Sequence, residues 1–452
     1  MDVSEKTILV IGLGKSGISA AQFLRTNGAR VIATDDRPRN EFGADLIDLE
    51  STGVSLVFGN TDTDMQTIDW VVVSPGVPLT HPLVQKANEQ KIPVLGELEL
   101  ASRFFNGDII AITGTNGKTT VTTLLGEMCK AAQRPIFVGG NIGTPMIEIG
   151  QSDKDTIAVI EVSSFQLDTV DTFHAHVGIL LNITGDHQDR YIDFTAYARS
   201  KARVFQHQTK EDIAIYNADD TAIEKIVPPL KAQKFPFTWH KEKLSENKNG
   251  ILLTDASMMI RTDDINDEIK TADIQLKGSH NMENVAAAVL AALSEDIPMA
   301  TIKEVLQDFK GLPHRMTWVD TIDGISFYDD SKATNTDAVK RALRCFEKPV
   351  VLIMGGRDKD SDFKTLTDDI RRHVKKLILT GEAGELIYSV LGDVTDSEVI
   401  VDFTEAVQAA YRVAEREDVV LLSPACASFD AFTSYAHRGD VFQNIVKALA
   451  KR

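Results

Sequence analysis

The sequence predicts an α/β protein of three domains: a Rossmann-like amino-terminal domain, a central phosphate-loop domain on a mostly parallel sheet, and a carboxy-terminal doubly wound, Rossmann-like domain. Three observations carry this expectation. Short apolar runs alternate with helical patterns along the chain; two of those runs break into glycine loops that open helices, at residues 12–17 and 114–118; and 452 residues exceed what one core accommodates. The expected boundaries are 1–100, 101–311 and 312–452.

Composition narrows the class of partner. Hydrophobic residues at 43% and charged residues at 25% are those of a globular protein, and Lys plus Arg (48) against Asp plus Glu (66) leave a net charge of −18. Such a surface repels a phosphate backbone, so no nucleic acid partner is expected, and anionic small substrates need their own cluster of cations and helix N-termini. Cys129, Cys345 and Cys426 lie far apart without a CxxC pair, which argues against a disulfide framework or structural zinc and for a reducing compartment. The start M-D-V-S-E-K leads directly into a strand without a leader pattern, and no apolar run has the length of a membrane span. A cytoplasmic protein with no membrane partner is the expectation.

In chain order, residues 7–12 form an apolar strand that leads into Gly12-Leu13-Gly14-Lys15-Ser16-Gly17 and a helix to about residue 27. The pattern is GxGxxG, with Asp35 and Asp36 closing the next strand about twenty residues on. It implies a diphosphate on a helix N-terminus. NAD or FAD is the obvious ligand, but the second nucleotide loop downstream favours a different nucleotide, with Arg37 beside the aspartates for further anionic groups. A strand at 70–73 ends in Ser74-Pro75-Gly76, a turn that falls on the same ligand-binding edge. Residues 95–105 read as a helix leading out of this domain.

Residues 109–120, I-I-A-I-T-G-T-N-G-K-T-T, are strand, phosphate loop and helix start. A nucleoside triphosphate needs converging backbone N–H groups, a lysine on the outer phosphates and a hydroxyl on magnesium, and Gly117, Lys118 and Thr119 supply them. The loop Gly114-Thr115-Asn116-Gly117 is shorter than the usual GxxxxGK[ST] pattern, because Ile112 stands where the first glycine is expected. Residues 137–143 give a strand ending in a glycine turn with Asn141 at its tip, and residues 157–161 a strand ending on Glu161, a place where magnesium is commonly held.

The strand at 177–181 gives way to N-I-T-G-D-H-Q-D-R at 182–190, more polar than a turn requires, with His187 read as functional from its place on this edge. Residues 194–206 are helical and carry Lys201 and Arg203; residues 241–273 read as surface hairpins; and H-N-M-E-N at 280–284 opens an alanine-rich helix with Asn281 and Asn284 on one face. After Gly311-Leu312-Pro313-His314-Arg315, strands at 325–328, 350–354, 376–379 and 419–422 alternate with helices, and three of them end in polar loops at 329–335, 355–359 and 423–430.

With those motifs in hand, the whole chain resembles the Mur ligases, which build the peptide of bacterial cell-wall precursors. The matching pieces are GTNGKTT (114–120), GGNIG (139–143), EVSSFQL (161–167), the loop at 182–190, HNMEN (280–284), LPHR (312–315), DDSKATN (329–335) and SPACASFD (423–430), spread over all three domains. Within the family, the GLGKSG start, Ser74-Pro75-Gly76 and SPACASFD look most like the members that add D-glutamate to UDP-N-acetylmuramoyl-L-alanine. The resemblance implies ATP, that UDP-sugar and D-glutamate as partners, two magnesium ions bound with ATP, and a monomer. It implies ATP binding by Gly114, Thr115, Asn116, Gly117, Lys118, Thr119 and Thr120, with Asn281, Asn284, Arg315, Asp330 and Lys332 closing over the nucleotide from further along the chain. Thr119 and Glu161 would hold one magnesium ion and His187 the second, with Lys118, His187 and Lys201 as the catalytic group. Lys201 matches a lysine carbamylated in the family, an amine turned into an anionic metal ligand. The UDP end is assigned to Gly14, Lys15, Ser16, Asp35, Arg37, Ser74, Gly76 and Asn141. The amino acid is assigned to Thr334, Lys359, Ser428, Phe429 and Tyr435, where Tyr435 departs from an expected phenylalanine.

Other readings are a second Mur ligase or a folylpolyglutamate synthase, which shares the ATP loop but is not expected to carry the amino-terminal GxGxxG domain. An NAD-dependent oxidoreductase leaves GTNGKTT unexplained, and a non-enzymatic nucleotide-binding module has no need of His187, Lys201 and Lys359 together.

Overall fold

The computed structural model describes residues 1–43, 45–59, 63–186, 190–226, 230–244, 249–276 and 278–450. Three sheets organise them. The first is parallel, in the order β3-β2-β1-β4-β5, from β1 (Thr7–Ile11), β2 (Arg30–Asp35), β3 (Ser55–Phe58), β4 (Trp70–Val73) and β5 (Val94–Gly96). Its central strands read as unbroken apolar runs because helices cover both faces of a parallel sheet, and Ile8, Leu9, Val10 and Val71 are fully buried.

The second sheet has nine strands in the order β14-β13-β12-β11-β10-β9-β6-β8-β7. They are β6 (Asp108–Thr113), β7 (Ile136–Gly140), β8 (Ile157–Glu161), β9 (Val177–Leu180), β10 (Ile213–Asn217), β11 (Gln233–Thr238), β12 (Gly250–Leu253), β13 (Ser257–Arg261) and β14 (Asn266–Lys270). Pairing is parallel from β7 to β12 and antiparallel beyond. The stretch at 241–273 therefore does more than form surface hairpins: β12 joins the parallel sheet and β13 and β14 extend it. The third sheet, β15-β16-β20-β17-β18-β19, comprises β15 (Thr317–Ile322), β16 (Ile325–Asp329), β17 (Val350–Gly355), β18 (Val374–Thr380), β19 (Asp396–Val399) and β20 (Val419–Leu422), with only the β15–β16 pair antiparallel.

The chain divides into two compact units, one holding the first two sheets (1–183, 195–274 and 282–308) and one holding the third (184–194, 275–281 and 309–452). Two boundaries differ from expectation. Leu95 lies in β5, which adds an edge to the first sheet, so the helix expected from residue 95 starts at Glu97 and ends at Ser102. The helix carrying Lys201 runs Phe194–Ala202 and tightens into a 3-10 turn at Arg203–Phe205.

Polar staples join the first sheet's domain to the second's. Glu99 is fully buried within the Glu97–Ser102 helix, and its carboxylate accepts from the backbone N–H groups of Asp171, Thr172 and Phe173, from the Thr172 hydroxyl and from Arg103. Burial works against its charge, but these donors outweigh it and hold the carboxyl below its ordinary range. Two residues earlier the buried Glu97 accepts only the Ile147 N–H on Oε1, while its Oε2 has no partner. Burial pushes this carboxyl up to about 7, with the Ile147 N–H opposing and the Glu148 charge adding. Nearby, Lys15 Nζ donates to the Gly143 carbonyl at 2.7 Å and Ser19 Oγ to Glu148 Oε1 at 2.8 Å.

A raised carboxyl destabilises the fold once the pH passes its ordinary value. The contribution of Glu97 is whole below pH 4.5 and is lost as the pH rises to about 7. Glu97→Gln removes that loss. In urea melts the variant is expected to exceed the parent by about 1–3 kcal/mol at pH 8, with the gap closing toward pH 4.5. Equal stability at pH 8 counts against a raised Glu97 carboxyl.

Candidate active site

β6 runs out at Thr113 into Gly114-Thr115-Asn116-Gly117, and the helix Lys118–Ala131 follows. Gly117 has φ +89°, and a Cβ there would stand 2.2 Å from Asn284 Oδ1, so only glycine fits between the loop and the helix Ser279–Ser294. The Lys118 helix starts without a side-chain cap, as does Lys15–Thr26 after the first glycine loop. An anion can take a cap's place at such a terminus. Asn182 braces the loop at three points: its carbonyl accepts from Thr115 N, its Oδ1 from Asn116 N, and its Nδ2 donates to the Asn116 carbonyl.

Two lysines converge on this loop. Lys118 Nζ donates to the carbonyls of Gly114 (2.8 Å) and Thr115 (2.9 Å), and Lys201 Nζ donates to the same Gly114 carbonyl at 2.9 Å. Lys201 is 2% exposed, far from the surface lysine that its helix position alone allows. Its ammonium lies 4.7 Å from the centroid of the Tyr197 ring, whose hydroxyl shares a hydrogen bond with Thr115 Oγ1.

Beside them, Thr119 Oγ1 donates to Glu161 Oε2 at 2.8 Å, and Asn141 donates to Glu161 Oε1 through Nδ2 and to the Glu161 carbonyl through its backbone N–H. Magnesium takes one or two protein oxygens and fills its remaining positions with phosphate and water, so the Thr119–Glu161 pair fits one ion. Among the described residues no group of three or more His, Cys, Asp or Glu is arranged to hold a metal by itself. His187 lies outside the described residues. Asn141, expected at the UDP end, is here engaged with Glu161. Thr120 is buried in the first turn of the helix.

The amino-terminal glycine loop borders a cleft of about 550 Å³ lined by Gly14, Lys15, Arg37, Phe42 and Glu148 among others. Asp35 accepts the Leu13 N–H on Oδ2 and is gripped by the Arg37 side chain through both oxygens. Burial opposes its charge, but Arg37 and the N–H groups of Leu13 and Arg37 prevail and keep the carboxyl low. The Arg37 guanidinium in turn lies 4.3 Å from the Phe42 ring centroid. Ser74 Oγ donates to the Gly12 carbonyl, tying the β4 turn to the loop, while Ser16 is half-buried and Gly76 exposed at the rim.

In the other unit, LPHR adopts an unusual backbone, with φ +60° at His314 and +47° at Met316. His314 is pinned there: its Nδ1 is 2.7 Å from Asp329 Oδ2, which also accepts from Gln443, and a Cβ on Gly439 would strike the ring at 2.1 Å. Arg315 is half-buried beside it. Asp330 accepts from the Ser423 hydroxyl and the Met316 N–H; burial pushes its carboxyl up to about 7 against the pull of Arg315. Lys332 Nζ sits 4.0 Å from the centroid of the Tyr435 ring.

An antiparallel bridge between Arg357 and Ala427 sets the loop of Lys359 beside that of Ser428. Thr334 and Lys359 are half-buried, Ser428 is buried, and Phe429 is 63% exposed. Burial pushes the Cys426 thiol up to about 12, and Lys359 is near enough to pull against it. Arg438, 2% exposed, donates to Ser331, Cys426, Ala427 and Gly355 and so knits these loops together. Asn281 is half-buried in the first turn of the helix Ser279–Ser294.

Sequence reading missed Asn182, Tyr197, Asp329 and Arg438. Asn182 and Asp329 lie inside motifs that had been singled out. Tyr197 and Arg438 have no local mark, because what distinguishes them is burial.

A phosphate loop at the carboxyl end of a parallel strand, with two converging lysines, one of them buried, and a magnesium-type oxygen pair, defines an ATP-using enzyme class. The family descriptions agree: the Mur ligase MurD-like N-terminal domain matches residues 6–96, the Mur ligase middle domain 112–292, and the Mur ligase glutamate ligase domain 314–426. The UDP-N-acetylmuramoylalanine--D-glutamate ligase of Desulfosudis oleivorans is 43% identical over 99% of this chain and 98% of its own, and that of Geotalea daltonii 41% identical over 100% and 99%. Among solved structures, a pseudomurein peptide ligase type C from Methanothermus fervidus (TM-score 0.63, 17% identity, covering 98% of this chain and 100% of that one) shares the fold. So does the UDP-N-acetylmuramate-alanine ligase MurC from Thermotoga maritima (TM-score 0.59, 18% identity, covering 98% and 99%). The chain belongs to the Mur ligase family.

The loop geometry predicts a sharp effect at Gly117. Gly117→Ala adds a left-handed strain of roughly 1–2 kcal/mol and displaces Asn284, so ATP binding by calorimetry should weaken at least about tenfold while circular dichroism keeps the parent's spectrum. Parent-like affinity would show that nucleotide binding does not depend on this backbone.

Proposed function

We propose that this chain is an ATP-dependent amide-bond ligase that adds D-glutamate to UDP-N-acetylmuramoyl-L-alanine in peptidoglycan precursor synthesis, a cytoplasmic reaction releasing ADP and phosphate. The relatives named above support the substrates, and one structural observation carries the chemistry: two lysines, one of them buried, meet on a single carbonyl of the phosphate loop. A carboxylate is a poor acylating agent, so the substrate's alanine carboxylate attacks the γ-phosphorus of ATP, and ADP leaves. The amine of D-glutamate then adds to the acyl phosphate, and the tetrahedral intermediate collapses to the amide, releasing phosphate and a proton. In the first step anion meets anion, in the second negative charge builds on the tetrahedral oxygen and the departing phosphate, and Lys118 supplies positive charge where it accumulates.

Bound magnesium neutralises phosphate charge. Thr119 and Glu161 are assigned to hold it, with Asn141 fixing the orientation of Glu161. Asn281, Asn284, Arg315, Asp330 and Lys332 are assigned to the nucleotide, and Thr334, Lys359, Ser428 and Tyr435 to glutamate. Two ammonium groups that share one carbonyl repel each other by a few kcal/mol at intermediate dielectric, of the order given by about 4 kcal/mol for unit charges 4 Å apart. Carbamylation of Lys201 removes that repulsion: the ammonium gives up one proton, the free amine nitrogen bonds to carbon dioxide and gives up a second, and the carbamate oxygens carry the negative charge.

Release of ADP from ATP should require both the UDP-sugar and D-glutamate; a preference for L-lysine or a diamino acid would overturn the assignment. Lys359→Ala should raise the glutamate KM about ten- to a hundredfold with ATP affinity little changed, the loss of one charge-assisted contact. Unaltered glutamate kinetics would remove Lys359 from the pocket.

Lys201→Ala should lose nearly all activity and regain part of it with added short-chain carboxylic acids that replace the carbamate. Full activity without additive would end the carbamate proposal.

A further inference from the structure

The unit built on the third sheet holds another cleft, about 870 Å³, that none of the residues assigned to ATP, UDP or glutamate lines. It opens at the carboxyl ends of β17, β18, β19 and β20. From β17 and β18 the chain turns to helices on one face of the sheet (Thr367–His373 and Gly384–Leu391), and from β19 and β20 to helices on the other (Phe403–Val413 and Tyr435–Leu449). Such a divergence is where doubly wound sheets take ligands.

The cleft's chemistry is specific. Met354, Leu422 and the glycines 355, 356 and 381 line it without polar side chains, and a Cβ at these glycines would strike Thr380 O, Ala427 O and Asp430 Oδ2 at 1.7, 2.3 and 2.4 Å. Phe403 and Phe432 form a wall, edge to face, with centroids 5.0 Å apart. Exposed carboxylates of Glu398, Asp402 and Glu405 stand around it. Asp430 adds a fourth; its Oδ2 accepts the Glu382 N–H, while its Oδ1 is buried without a partner. Of the two arginines, Arg412 is exposed, and Arg438 spends its donors on Ser331 and on the carbonyls of Gly355, Cys426 and Ala427. No guanidinium fork is left in the depth of the cleft for a phosphate, and the carboxylates outnumber the arginines two to one.

A floor of glycine backbone without side-chain charge, aromatic edges and a carboxylate surround suit a ligand with ammonium groups joined by hydrocarbon. We propose that this cleft binds an aliphatic polyamine, its methylenes against Phe403 and Phe432 and its ammonium groups on Asp402 and Glu405. The site is independent of the ligase reading and stands or falls on its own binding test.

Calorimetric titration of the full chain without nucleotide or magnesium, using spermidine, adenosine and AMP in turn, tests it. Spermidine should bind saturably at one site. The pair Asp402→Asn with Glu405→Gln, which keeps the helix cap at Asp402, should weaken it at least about tenfold. Val441→Trp, which fills the cleft without changing charge, should weaken it as much, while both variants keep the parent's circular dichroism spectrum and ligase activity. No saturable spermidine binding would overturn the proposal. So would affinity unchanged in Val441→Trp, which would mark diffuse attraction to a chain of net charge −18, or tighter binding of adenosine or AMP.

Discussion

The carbonyl of Gly114 is the point on which the nucleotide region depends. It accepts from Lys118 and Lys201, one at the start of the loop's own helix and the other on a helix more than eighty residues later, so two distant segments close on one oxygen. Two ammonium groups held on one oxygen concentrate positive charge at the loop, an arrangement that a polyphosphate favours more than a neutral ligand does. The rest of the centre keeps that oxygen in place. Asn182 fixes the loop from below, Gly117 lets Asn284 approach, and Asn141 and Thr119 hold Glu161 at a set distance.

The join between the first two domains follows the same logic of buried charge. Glu99 is tolerated because it finds five donors, three of them backbone N–H groups of one turn. Glu97, two residues away, finds one, and burial pushes its carboxyl up to about 7. The two glutamates differ in partners, not in burial. Through them, and through Lys15 and Ser19, the loop proposed for the UDP end and the turn that carries Asn141 are fixed against each other within one compact unit.

Strands buried on both faces were legible in the sequence. β1, β4, β8 and β20 are apolar runs whose ends fall within a residue of expectation, and both glycine loops declared themselves because backbone geometry there admits little else. Strands that are very short, half polar or broken by proline were not legible. β19 reads D-S-E-V, half polar; β11 carries Pro236 in mid-strand; and β5 is three residues that merge with the helix after them. The site was legible as motifs and illegible as distances. Nothing local to Lys201 shows that its amine is buried on Gly114, and Glu97 and Glu99, in the stretch G-E-L-E-L, look like solvated helix residues.

Cys426 lies in the conspicuous SPACASFD loop, next to the residues proposed for glutamate, and would tempt anyone designing a covalent inhibitor. Its sulfur is 1% exposed and holds its proton up to about pH 12. An electrophile needs thiolate, and burial keeps that form scarce at neutral pH. Warheads aimed at this loop would do better to seek reversible contacts with Lys359 or the exposed Phe429, and to leave the cysteine alone.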